Sequence, residues 1–326
     1  MLPGESLLSD LPYFDVLVVG GGASGTAVIT QLIEKIQQGK QIRSIALVEK
    51  SEAVGPGLAY SENCEATILN MHADTMGLYA DNPTHFSNWM KVHLSGRRDE
   101  EDHFPPRYIY GQYLASLVRN AAQKAERLGV VFRVVHCEVV NLQRVGEFHE
   151  MQLCNGTEIC ARDVILAIGN SPAMAHPELS GTPGYISSPW PTERLKAIPP
   201  DSSVCIFGSR LSAIDAALVL TENGHRGLIT FVSRNGRLPQ VQDAAFSFSR
   251  RFVLHTLAKD VETSPDGAFI KVVQAIQKEI ERINIFDKAR VMNSDDPLTE
   301  LRHNISSAEN DAVSWQAVLR ATSPMV

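Results

Sequence analysis

Six residues, Gly20-Gly21-Gly22-Ala23-Ser24-Gly25, constrain what this chain can fold into more than any other feature. They follow a short apolar, β-branched run at residues 14–19. They open a segment, residues 23–37, in which Ala27, Val28, Leu32, Ile33 and Ile36 recur at helical spacing. Gly39 ends that helix, and residues 42–48 read as a second buried strand. Strand, helix and parallel strand form a βαβ unit, and G-x-G-x-x-G at its first turn is a dinucleotide-binding pattern. Gly20 permits the tight turn out of the strand. Gly22 lets a pyrophosphate approach bare backbone, and Gly25 lets helix and sheet pack closely. Ala23 and Ser24 sit in the first turn of the helix, where free N–H groups and the helix dipole favour phosphate.

Glu49 completes the unit. It ends the second strand, 24 residues after Gly25, near where a carboxylate accepts hydrogen bonds from an adenosine ribose. A 2′-phosphate would be repelled there, so this first site suits FAD or NAD(H), with Lys50 next in line. The fold class expected is α/β, Rossmann-like, with two dinucleotide-binding units.

Composition narrows the remaining classes. The net charge of −7 argues against general affinity for nucleic acid, which needs clustered positive charge. No run reaches the roughly 18 apolar residues of a membrane helix, and the first fourteen residues lack the basic start and apolar core of a secretory signal. A cytoplasmic location without membrane contact is expected; oligomeric state is open. The five cysteines, Cys64, Cys137, Cys154, Cys160 and Cys205, include no C-x-x-C pair and read as reduced, mostly buried thiols. No H-E-x-x-H or similar metal pattern occurs.

Further along, residues 53–84 lose periodicity and read as a long functional loop. Helices are expected at residues 84–93 and 108–128. Strands follow at 130–135, 138–144, 150–153, 157–160 and 164–168, with Asn155-Gly156 as a hairpin turn. A proline-rich connection covers residues 171–201, dividing an FAD-binding domain (1–170) from an NAD(P)-binding-like domain (202–326). That second domain restarts the grammar with strand 203–207, helix 211–223 and strand 228–232. Beyond residue 242 the pattern is helical, with Ile270, Val273, Ile276, Ile280 and Ile283 on one face.

Several blocks together resemble a group of FAD/NAD(P)-binding proteins related to FAD-dependent urate hydroxylases and aspartate N-monooxygenases. The blocks are 16–25, 49–60 (EKSEAVGPGLAY), 68–73 (ILNMHA), 104–114 (FPPRYIYGQYL), 164–172 (VILAIGNSP) and 204–239. Gly55 and Gly57 then mark a loop passing close to a flat ring system, and Asn70 and Met71 a polar and an apolar contact beside it. Arg107 suits phosphate, carboxylate or reduced flavin, or else a salt bridge to a nearby acid. Tyr110 and Tyr113 read as helix packing. Gly169 follows the strand end that such proteins carry, with Ile168 where relatives commonly have threonine. Relatives typically continue and return to the first domain, so the resemblance implies that the FAD-closing segment is missing from this chain.

Gly208-Ser209-Arg210-Leu211-Ser212-Ala213 occupies the place of a second fingerprint. Only its first glycine remains. Arg210 stands where close backbone approach demands glycine, and it either pairs with phosphate or closes the site. Ser233 and Arg234 stand where a ribose-binding acid would be, and a guanidinium there favours the 2′-phosphate of NADPH. FAD with NADPH, and no dithiol centre, points to dioxygen as acceptor and hydroxylation of a small polar substrate, with Arg107 or Arg97 available to an anionic one. The alternative is a nucleotide-binding sensor or subunit without turnover. No catalytic residue is identifiable.

Overall fold

The computed structural model describes residues 12–239, apart from 62–63, 80, 95–102 and 171–175. Arg97 and the helical pattern beyond residue 242 therefore lie outside the described residues. Residue contacts divide the chain into two units, Met1–Gly77 with Pro83–Phe246, and Leu78–Asn82 with Ser247–Val326. All elements below belong to the first.

Strand β1 (Tyr13–Val19) leads into helix α1 (Ala23–Gln37) and strand β2 (Ser44–Glu49). Short helix α2 (Gly57–Tyr60) and helices α3 (His85–His93) and α4 (Arg107–Arg127) follow. Next come strands β3 (Val131–His136), β4 (Val139–Val145), β5 (Phe148–Leu153) and β6 (Glu158–Leu166). They form one sheet in the order β3-β2-β1-β6-β5-β4. β3, β2, β1 and β6 run parallel, with Val18 opposite both Leu47 and Ile165. β4, β5 and the first part of β6 form an antiparallel meander.

Alternation along β1 explains the layering. Val16 and Val18 face the helices, packing with Ile29 and Ile33 of α1 and Val118, Ala121 and Ala125 of α4. Leu17 and Val19 face the other way, packing with Met151, Leu153 and Ile159, and Phe14 at the start of the strand joins that cluster. A period of two sends neighbouring residues to opposite faces, and here both faces are covered. Burial of Ile29, Leu17 or Leu47, each without exposure, is worth about 1.5–3 kcal/mol per side chain. The expected strands 157–160 and 164–168 are one continuous strand, because Arg162 and Asp163 are exposed and ion-paired. Their polarity breaks the apolar run without breaking the backbone ladder.

The βαβ pattern returns in strand β7 (Val204–Phe207), helix α6 (Leu211–Glu222) and strand β8 (Ile229–Val232), after a short helix α5 (Glu193–Lys196). β7 and β8 are parallel, with Cys205 opposite Thr230. Val204, Ile206 and Ile229 pack with Val219, Leu220 and Leu195 in a separate cluster that also takes in Cys64. Among the described residues no helix is long and apolar enough to cross a membrane.

Candidate functional site: two glycine turns at strand ends

At the C-terminal end of β1 the chain turns through Gly20, whose φ is +101°, a conformation that L side chains resist. Its amide donates to Val48 O at 2.8 Å, and a Cβ there would meet Ala167 O at 2.3 Å. A Cβ on Gly25 would lie 1.8 Å from Gly20 O. Helix α1 therefore sits as close to the strand end as backbone permits. Gly22 forms its N-cap with extended backbone and no capping side chain, and its first turn holds no acid. Among the described residues no acceptor takes the amides of Gly22, Ala23, Ser24 or Gly25.

Glu49 closes one side of this turn. Its Oε2 accepts from the amide of Gly21 at 2.7 Å and its Oε1 from Ser51 at 2.8 Å. A carboxylate taking two backbone N–H groups is held in one orientation. Gly57, with φ +56°, lies against Gly22, and a Cβ on it would stand 3.0 Å from Gly22 Cα. Gly55 donates to Gly21 O at 2.7 Å, and its own missing Cβ makes room for Ala115 of α4. The loop after β2 is thus sewn to the turn by the Gly55–Gly21 backbone bond and by the Glu49 carboxylate. Among the described residues, the atoms facing a Cβ at Gly22 are backbone atoms of Gly57.

Other residues singled out in the sequence take varied places. Lys50 is exposed and lies 3.5 Å from Glu138. Asn70 and Met71 are half-buried on the loop after the Ile68–Pro106 bridge. Gly169 (φ +72°) is exposed three residues beyond β6. Tyr110 and Tyr113 are buried among Phe86, Trp89 and Tyr60. Burial drives the Tyr110 hydroxyl well above its ordinary pKa, with Tyr60 and Tyr113 adding to it. Tyr113 Oη shares a 2.8 Å hydrogen bond with His85 Nδ1, and burial, helped by Lys124, lowers the His85 pKa.

Arg107, left open between a ligand and an acid, has an acid. Its Nη2 lies 2.6 Å from Asp215 Oδ2 on α6, its Nε donates to Ile68 O at 3.1 Å, and its guanidinium lies 5.8 Å from the Trp190 ring centre. Oδ2 has the cation but no well-aligned N–H. Burial outweighs the arginine and raises the Asp215 pKa. Asp215 and Trp190 gave no signal in sequence, since one is an isolated acid on an apolar helix and the other sits in a proline-rich connection.

The second turn repeats the first. Gly208 has φ +110°, and its amide donates to Val232 O at 2.8 Å, as Gly20 does to Val48. Arg210 is the N-cap of α6, with φ −91° and ψ −171°, beside −74° and −162° at Gly22. This alignment sets Ser233 where Glu49 stands in the first unit. The Arg210 side chain is exposed and no acid among the described residues pairs with it. Ser209 is buried and donates from Oγ to Arg237 O at 2.6 Å, Ser212 is exposed, and Ser233 Oγ accepts from the amide of Gly236 at 3.1 Å. Arg234 is exposed.

The thiols depart from expectation at one point. Cys137 and Cys154 are joined in a disulfide, with Cα atoms 6.2 Å apart. The β4–β5 hairpin between them carries the second back to the first, which spacing alone does not reveal. Cys64 and Cys160 are buried free thiols and Cys205 is exposed.

Residues 17–171 match the family described as FAD-NAD(P)-binding, and that segment is an FAD/NAD(P)-binding domain. No curated protein matches the chain. Among solved structures, bacillithiol disulfide reductase from Bacillus cereus is similar at 19% identity and a TM-score of 0.43, over 67% of this chain and 58% of that one. A flavin-containing monooxygenase from Stenotrophomonas maltophilia is similar at 18% and 0.41, over 68% and 58%. A closed form of cyclohexanone monooxygenase is similar at 15% and 0.47, over 69% and 38%. The chain thus spans less than two thirds of the length of each.

Proposed function

We propose that this chain is the nucleotide-binding part of an FAD-dependent oxidoreductase that is reduced by NADPH and hydroxylates a small polar substrate, a urate-like purine or an amino-acid amine. One observation carries the reading. The amides of Gly22, Ala23, Ser24 and Gly25 lack acceptors among the described residues, Gly57 backbone faces Gly22, and the Glu49 carboxylate is fixed at the edge of the turn. That donor set fits a diphosphate joined to a ribose. Bound FAD would supply hydride acceptance from a reduced nicotinamide and electron delivery to dioxygen. The α1 amides would hold its diphosphate, and Glu49 would accept from a ribose hydroxyl with the carboxylate orientation already set by Gly21 and Ser51.

The second turn supports a separate nucleotide. Its backbone repeats the first, and Ser233 with Arg234 replaces the acid that would repel a 2′-phosphate. A second reading, nucleotide binding without turnover, is favoured by Arg210 in the place of a glycine.

Purified protein incubated with FAD and desalted tests the first reading. Retained flavin absorbance, bleached anaerobically by NADPH and not by NADH, is the expected result. Protein that stays colourless overturns it. Protein that retains flavin unbleached by NADPH favours the second reading, and substrate-stimulated NADPH consumption separates purine from amine.

A further inference from the structure

We propose that the Cys137–Cys154 disulfide is a thiol–disulfide exchange site whose redox state sets how firmly the loop carrying Glu49 is held. The sulfur bridge joins the β3–β4 connection to the end of β5. The same junction carries two hydrogen bonds: Cys154 N donates to Glu138 O at 2.8 Å, and Glu138 N to the Cys154 side-chain Sγ at 3.4 Å. Immediately before Cys137, His136 Nδ1 donates to Ser51 O at 2.9 Å. The acceptor is a carbonyl, so Nδ1 carries the proton. Immediately after it, Glu138 Oε1 lies 3.5 Å from Lys50 Nζ. Ser51 is in turn fastened by its amide to Glu49 Oε1, and Glu49 Oε2 to Gly21. Three successive hydrogen bonds therefore run from His136, beside the sulfur bridge, to the glycine turn, with the Lys50–Glu138 contact alongside.

The two sulfurs are unlike. Cys137 is 7% exposed and packs with the core cluster between β1 and the meander, whereas Cys154 is exposed. A thiolate from a small thiol or dithiol attacks Cys154 Sγ. The bond to Cys137 Sγ breaks, Cys137 leaves with the electron pair and takes a proton, and a mixed disulfide remains on Cys154. A second thiolate of the same reductant attacks the reductant's sulfur, releasing Cys154 as a thiolate and the reductant as its disulfide. Two electrons pass from two thiols to one cystine. Apolar packing disfavours a thiolate at Cys137 and makes it a slow leaving group; a dithiol is the effective reductant because its second thiol resolves the mixed disulfide intramolecularly.

With the bridge open, residues 136–138 keep their hydrogen bonds and the apolar packing of Cys137 but lose the covalent tie to the hairpin, and the hold on Ser51 loosens. The proposal concerns the same turn as the FAD reading, and the test separates the two. Alkylation and intact mass of the unreduced protein should show three free thiols of the five, and five after a dithiol. Hydrogen exchange of the 50–55 segment should quicken on reduction, with or without FAD. FAD should dissociate about fivefold to tenfold more readily from reduced protein, the scale of one lost hydrogen bond. Cys154→Ser, at an exposed position, should exchange like the reduced form and ignore the dithiol. Five thiols in unreduced protein, or equal exchange of residues 50–55 in both states, overturns the proposal. Altered exchange in protein that takes up no FAD leaves the redox link standing and removes the FAD reading alone.

Discussion

Arg107, the first residue of α4, and Asp215, in the middle of α6, meet at 2.6 Å with 16% and 7% of their side chains exposed. The pair ties α4, which packs beside α1, to α6, the helix that follows the second glycine turn. Removing one partner from such a buried pair typically costs about 3–5 kcal/mol, because a charge is left without compensation. Arg107→Ala should lose stability on that scale in denaturant melts. The sign with pH follows from the raised Asp215 pKa: a carboxyl that holds its proton more tightly when folded favours the folded state at low pH, and that favour is lost as pH rises through its folded value. Without the arginine the folded value climbs further, so the deficit should be smaller near pH 4 than at pH 8. Arg107→Met with Asp215→Leu should recover most of the loss.

Gly25 and Gly39 make a controlled contrast. A Cβ on Gly25 meets Gly20 O at 1.8 Å, whereas Gly39, with φ +100°, has nothing within 4 Å. Gly39→Ala should cost about 1–2 kcal/mol, from the positive φ alone. Gly25→Ala must push α1 off the strand, costing more than about 3 kcal/mol, the upper range for single substitutions, and removing FAD retention. Thermal melts and flavin absorbance check both.

Glu49→Ala removes the acceptor from two amides at once. It also removes the proposed acceptor for a ribose hydroxyl, and a hydrogen bond to a charged group is worth about 1.5–3 kcal/mol, so FAD affinity should fall by at least tenfold in fluorescence titration. Glu49→Gln keeps an acceptor and should fall between. Affinity unchanged in both variants would exclude a ribose contact at this residue.

The cofactor preference of the second turn rests on Arg234. Arg234→Ala should raise the KM for NADPH about tenfold, the scale of one charge-assisted contact to phosphate, and leave that for NADH unchanged. Steady-state flavin reduction with the two nucleotides measures it.

Acid should loosen the aromatic cluster around Tyr113. The His85 pKa is lowered in the folded state, so the unfolded chain binds the proton first. Stability drops as pH falls below the ordinary histidine value of about 6.5. His85→Gln should flatten that part of the Tm-against-pH curve.

Local patterning made much of this fold readable. The glycine turn, the helix bounded by Gly39 and the strand ending at Glu49 follow from period and turn chemistry within 35 residues. The β6 strand did not, because Arg162 and Asp163 interrupt its apolar run at a sheet position where both side chains reach solvent. Contacts between distant segments were silent too. Nothing in the sequence near Arg107 names Asp215, and nothing near Cys137 announces Cys154, because a hairpin and a helix packing set those distances. Gly57 was legible as a close-approach position, but that Gly22 lies opposite it comes only from the folded loop.

β6 belongs to both halves of its sheet: Cys160 and Ala161 pair with β5 on one side and with β1 on the other. β1 therefore has one of its two neighbours in the sheet more than a hundred residues later in the chain, Val19 facing Leu166. Until that residue has been synthesised, one edge of β1 stays open and its apolar face is uncovered by the meander, a nascent species that needs shielding from aggregation.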